Sequence, residues 1–153
     1  MGRIYSATFE QVAVTAVQDL FEIIAPADGV LKIREIHISQ SSDAGDTESE
    51  GLNVLLHRGT ATGSGGSSVT PRPYAVGDAA FGGTCEANNT TQSVEGTILG
   101  SHSFNILAGL SLVYTPEAMF EISPSGLFIV ELQTTPADSL TMDGTLVFEE
   151  FGG

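Results

Sequence analysis

Asp43, Asp46, Glu48 and Glu50 bring four carboxylates within eight residues, the densest acidic stretch of the chain. Hard cations such as calcium take several oxygens from one flexible loop, which makes these four the candidates for a metal site. EF-hand spacing is missing, however, and charge-rich loops are generally solvated, so no bound metal or other cofactor is expected. His37, His57 and His102 lie far apart, without His-x-His or Glu-x-x-His spacing, and are expected to be structural side chains rather than ligands. Gly63-Ser64-Gly65-Gly66-Ser67 has the look of a phosphate cradle. It lacks the Gly-Lys-Ser/Thr ending and any nearby Lys, and reads as a flexible loop. A Gly-x-Ser-x-Gly nucleophile elbow does not occur. The expectation is a protein without catalytic residues, not an enzyme.

Charge narrows the partners. Nineteen acidic residues face five basic ones, Arg3, Lys32, Arg34, Arg58 and Arg72, for a formal net charge of −14 over 153 residues. Phosphate backbones and anionic lipids repel such a chain, so neither nucleic acid nor membrane is expected as a direct partner. Cys85 is the lone cysteine and forms no intramolecular disulfide. The N-terminus has no basic-then-apolar leader, and no apolar run is long enough to span a bilayer, which points to synthesis in the cytosol. Asn88 and Asn89 each begin an Asn-x-Thr triplet, a pattern that matters only after secretion. Met1-Gly2-Arg3-Ile4-Tyr5-Ser6 matches an acylation pattern in form, but Arg, Ile and Tyr beside a terminal Gly read better as a sticky arm, residues 1–10, that docks on a neighbour.

The elements that must position these residues are short strands. Apolar residues recur with period two or in short β-branched runs bounded by Gly, Pro, Asp and Ser. Leu140, Met142, Leu146 and Phe148 share one parity, and Asp143-Gly144 within that run reads as a tight turn or a bulge that leaves the parity intact. Leu127 to Leu132 is apolar except for Glu131, as expected of a central strand covered on both faces or lying in a subunit contact. Leu31 and Ile33 share one parity and Ile36 and Ile38 the other, so a bulge near Arg34-Glu35 is required to keep all four inward. Residues 11–24 also fit a helical face, yet their β-branched Val, Thr and Ile favour two extended pieces bent at Gln18-Asp19. Residues 39–51 and 59–89 show little periodicity and read as two long loops, the natural places for binding. One all-β domain spanning 1–153, an antiparallel β-sandwich of jelly-roll-like kind, is the expectation; a chain of this length buries enough surface to fold without disulfides.

The opening Gly2-Arg3-Ile4-Tyr5, the block Ala25-Pro26-Ala27-Asp28, Ser39-Gln40-Ser41-Ser42-Asp43, the Gly-rich loop into Pro71-Arg72-Pro73, Glu86-Ala87-Asn88-Asn89-Thr90-Thr91 and the ending Pro136 to Leu146 cover nearly the whole chain. Through them the sequence resembles small virion proteins of tailed bacteriophages and prophages, and more generally the capsid cement or decoration proteins. That resemblance implies a homotrimeric jelly roll on the outer surface of an icosahedral head, bridging subunits of the major capsid protein after assembly in the host bacterial cytoplasm. Arg3, Ile4, Tyr5, Arg58, Arg72 and Tyr74 are the expected interface residues. A tail- or fibre-associated module that binds a receptor or carbohydrate is the alternative the same fold allows.

Overall fold

A computed structural model of the chain describes residues 2–43, 45 and 50–152. Twelve strands occupy them: β1 (Arg3–Val14), β2 (Gln18–Ile24), β3 (Gly29–Gln40), β4 (Gly51–Ala61), β5 (Ser67–Ser68), β6 (Arg72–Pro73), β7 (Thr84–Asn89), β8 (Val94–Asn105), β9 (Leu110–Val113), β10 (Phe120–Ile122), β11 (Leu127–Leu132) and β12 (Leu140–Gly152). Every pairing is antiparallel. The first sheet runs β10–β3–β12–β1–β6, with β9 also on β3; the second runs β5–β7–β2–β11–β4–β8.

The connectivity is that of a folded ribbon. Pairing β1 with β12, β2 with β11, β3 with β9 and β10, and β4 with β8 makes one long hairpin of four nested pairs. Rolling it docks β3 on β12 and β4 on β11 and leaves two facing sheets, which is the jelly-roll arrangement. The piece β5–β6–β7 is an insertion between β4 and β8 that lengthens both sheets on one side.

The core lies between the sheets. Tyr5, Phe148 and Phe81 form one aromatic group, with Tyr5 and Phe148 stacked at 5.6 Å and Phe81 edge-on to Phe148 at 4.9 Å. Phe9 meets Phe21 at 5.2 Å across the sandwich. Burying each large apolar side chain contributes about 1.5–3 kcal/mol. The parity switch in β3 is resolved by an extra residue at Arg34: Phe148 pairs with Ile33 and Val147 with Glu35, so Leu31, Ile33, Ile36 and Ile38 all face inward. Asp143-Gly144 runs straight on within β12, and the bulge sits opposite, at Glu10-Gln11 of β1. Gln11 there has φ 50° and is held by Asp143, which accepts hydrogen bonds from its main-chain N–H (3.0 Å) and its side-chain amide (2.8 Å).

Three expectations change. Of the expected arm, residues 1–10, Met1 lies outside the described residues, and from Arg3 onward the segment is an inner strand between β12 and β6, because Tyr5, Ala7 and Phe9 alternate into the core. Residues 11–24 are strand, but the bend falls at Thr15–Val17, since Gln18 and Asp19 already pair with Leu132 and Glu131. Of the stretch 59–89, residues 59–61 complete β4 and the rest is a folded insertion with three short strands rather than one loop.

Candidate functional site

Two neighbouring features on the insertion side of the molecule carry the polar chemistry. The first is a layer of buried carboxylates on the outer face of the second sheet. β2 and β11 are apolar runs broken by Asp19, Glu22 and Glu131; an extra residue at Leu20, where the register against β11 shifts, brings Asp19 to the same outward face as Glu22 despite their odd spacing, in line with Asn89 and Glu86 of β7 and His57 of β4. Asp19, Glu22, His57, Asn89 and Glu131 are nonetheless buried, because the segments 62–66 and 90–93 lie across them.

The carboxylates hold those segments by their main-chain amides. Glu22 accepts from Gly63 N–H at 2.8 and 3.1 Å, and Asp19 accepts from Ser93 N–H at 2.6 Å. Asn89 receives Gly66 N–H at 3.0 Å and donates to Glu86 at 2.9 Å. Glu131 accepts from the Gln92 amide at 2.8 Å and shares a 2.8 Å hydrogen bond with His57 Nε2. Ser64 and Thr91 exchange main-chain hydrogen bonds of 2.9 and 3.0 Å that tie the two segments together. The glycine run is thus a strap packed flat on the sheet. A Cβ on Gly63 would run into the Thr91 carbonyl and the Glu22 carboxylate, and one on Gly66 into Asn89 and the Ala87 carbonyl. Desolvation, followed by the hydrogen bond with Asp19, pushes the Glu22 carboxyl up to about 7.

The second feature is a groove of about 420 Å³ where the sandwich opens between β1 and the β5–β7 edge. Thr8, Phe9 and Val12 form one side and Gly65 to Val69 the other, with Gln18 and Asn88 at the end. Asn88 has φ 58° and accepts from the Gln18 amide at 2.8 Å.

The expected interface residues separate. Arg3, Ile4 and Tyr74 line a common hollow of about 310 Å³ with Gly2, Ala75 and Asp78, and Arg72 lies beside it, paired with Ser6. Arg3 makes an ion pair with Glu150 at 2.9 Å, and Tyr74 is 60% exposed. Tyr5 is a correction: it is fully buried, with its hydroxyl donating to the Ala79 carbonyl at 2.9 Å, and offers nothing to a partner. Arg58 stands apart, on β4, donating to the Glu121 carbonyl at 3.2 Å. Of the acidic-loop candidates, Asp46 and Glu48 lie outside the described residues, while Glu50 accepts from Ala137 N–H at 2.7 Å and Asp43 N–H donates to the Gln40 side chain. Among the described residues no three His, Cys, Asp or Glu side chains converge as a metal site. His37 sits between Glu35 and Ser111. Burial pushes the Cys85 thiol up to about 12, which leaves it without nucleophilic character.

Sequence reasoning missed Asp19, Glu22, Glu131 and Gln92 as a unit. The available signal was the isolated carboxylate within an apolar strand, visible at Glu22 and Glu131. No protein-family model matches the chain, and no curated protein matches its sequence.

Proposed function

We propose that the protein is a non-catalytic virion component that decorates the outside of a bacteriophage head and bridges subunits of the major capsid protein, most simply as a homotrimer. The observation that carries this reading is the surface around β6. Arg3 and Arg72, two of only five basic residues, lie beside Ile4 and Tyr74, and Val76, two residues further along the chain, is fully exposed. Exposed apolar side chains next to scarce positive charge suit contact with another protein. A net charge of −14 keeps free copies soluble and disfavours packaged DNA as a partner, which fits the outer surface of a filled shell.

Purified protein is expected to bind mature heads at fixed stoichiometry. Replacing Tyr74 and Val76 together by Asp should abolish that binding while leaving the thermal midpoint unchanged, and failure of the wild type to bind any head form would reject the reading. The second reading is a tail- or fibre-associated receptor- or carbohydrate-binding module; the uncharged groove between β1 and β5 favours its receptor-binding form. Labelled virions separate the two, since a head protein marks the shell and a fibre module marks the tail.

A further inference from the structure

We infer that the groove between β1 and β5 is a docking site for an extended, uncharged segment of a partner polypeptide, which adds as a short strand to an incomplete sheet edge. The inference does not depend on which virion surface the protein decorates.

The edge of β1 is covered over part of its length only. Tyr74 N–H donates to the Ile4 carbonyl at 2.8 Å, and Ser6 pairs with Arg72, so the main-chain groups of Ile4 and Ser6 face β6. Antiparallel alternation turns those of Thr8 the same way. There β6 has ended, the chain having crossed to β5, and the N–H and carbonyl of Thr8 face the groove. The opposite rim repeats this. Val69 N–H donates to the Cys85 carbonyl at 2.8 Å and Ser67 pairs with Ala87, which directs the main chain of Ser68 away from β7. Both rims therefore offer a donor and an acceptor with no strand among the described residues to take them.

The lining fits a polypeptide. Phe9, Val12, Val69 and Ala87 supply an apolar floor for alternate side chains, and none of the lining residues is charged in a chain carrying 24 charged side chains. A sugar would want an exposed aromatic face, whereas the one aromatic ring here, Phe9, is 7% exposed and packed on Phe21. The bulge at Glu10-Gln11 ends the regular edge, so the paired stretch is short, roughly three residues at about 3.3 Å each.

The test uses the full-length protein and an uncharged synthetic peptide, acetyl-Ser-Val-Thr-Val-Thr-Val-Ser-amide, with a control N-methylated at alternate amides to keep the side chains but remove strand donors. The peptide is expected to bind and to slow hydrogen exchange at Thr8 and Ser68, and the N-methylated control to bind at least about tenfold more weakly. Thr8→Pro and Ser68→Pro, each at an edge position that tolerates proline, should lower affinity by a similar factor while leaving the circular dichroism unchanged. Absence of binding, equal binding of the N-methylated control, or protection confined to residues outside the groove overturns the inference. So does a neutral oligosaccharide that protects the same amides while the peptide does not. The exchange readout on the wild type stands even where a proline variant fails to fold.

Discussion

The two sheets use the same side chains in opposite ways. In the sheet built on β3, β12 and β1, buried carboxylates meet cations: Glu150 takes Arg3 at 2.9 Å, and Glu149 takes Arg34 at 2.8 Å together with Gly2 N–H. In the sheet built on β2, β11 and β4, among the described residues, no Lys or Arg pairs with Asp19, Glu22, Glu86 or Glu131. Their hydrogen bonds come from loop amides, an Asn, a Gln and a His, and the buried Asp19 Oδ1 has no hydrogen-bond partner among the described residues. A chain with five basic residues cannot pair 19 acidic ones. The excess is solvated or turned inward, and what is turned inward serves as adhesive for the insertion. A strongly acidic composition thus hides a structural use of charge that a net count does not separate from solubility.

The largest effect expected from breaking this contrast is at the His57–Glu131 pair, fully buried on the His side. His57→Ala leaves a buried carboxylate with only the Gln92 amide, and loss of a buried hydrogen bond to a carboxylate costs about 1.5–3 kcal/mol. The check is the midpoint of urea unfolding at constant m-value. An unchanged midpoint would mean that the outer layer contributes nothing to the fold.

Next comes pH. Glu22 holds its proton up to about 7 in the folded protein, against an ordinary carboxyl near 4.5 in the unfolded chain. Between those values the native state binds the extra proton, so the stability it contributes is complete below about 4.5 and is lost as pH rises through about 7. Glu22→Gln keeps an oxygen for Gly63 and removes the titration. The wild type should lose more thermal stability between pH 5 and pH 8 than the variant, and parallel melting curves against pH would place the proton elsewhere.

On the other sheet the effects shrink. Arg34→Met removes the cation from Glu149 but leaves that carboxylate its bond to Gly2 N–H, and Arg34 is itself partly exposed. About 1 kcal/mol is expected, smaller at high salt. A loss as large as that of His57→Ala would erase the distinction between the sheets.

The same contrast explains what could be seen in the sequence. The sandwich was legible because period-two runs such as Leu140 to Phe148 have one reading, and the bulge at Arg34 because four apolar residues on two parities have one inward solution. The N-terminal segment was misjudged because Arg3-Ile4-Tyr5 looks the same whether Tyr5 meets a partner or its own Phe148. The insertion was unreadable because β5 and β6 are two residues each, too short for any period, and the strap that leads into them is held at Gly63 and Gly66 by Glu22 and Asn89. Long-range polar satisfaction of this kind leaves no local pattern beyond a carboxylate in the wrong company.

The smallest effect belongs to Lys32 and Glu121, 4.0 Å apart with side chains 36% and 62% exposed. An exposed pair at that separation gains little Coulomb energy and loses side-chain freedom, so Lys32→Met should shift stability by at most about 0.5 kcal/mol. Lys32 also lies 5.2 Å from the centre of the Phe151 ring, and Met retains most of that apolar contact while removing the charge. A double-mutant cycle with Glu121→Gln separates the two contributions: a coupling near zero assigns what little Lys32 does to Phe151. A coupling above about 1 kcal/mol would make this surface pair the equal of Arg34–Glu149, and partial burial would no longer be what ranks the ion pairs of this sheet.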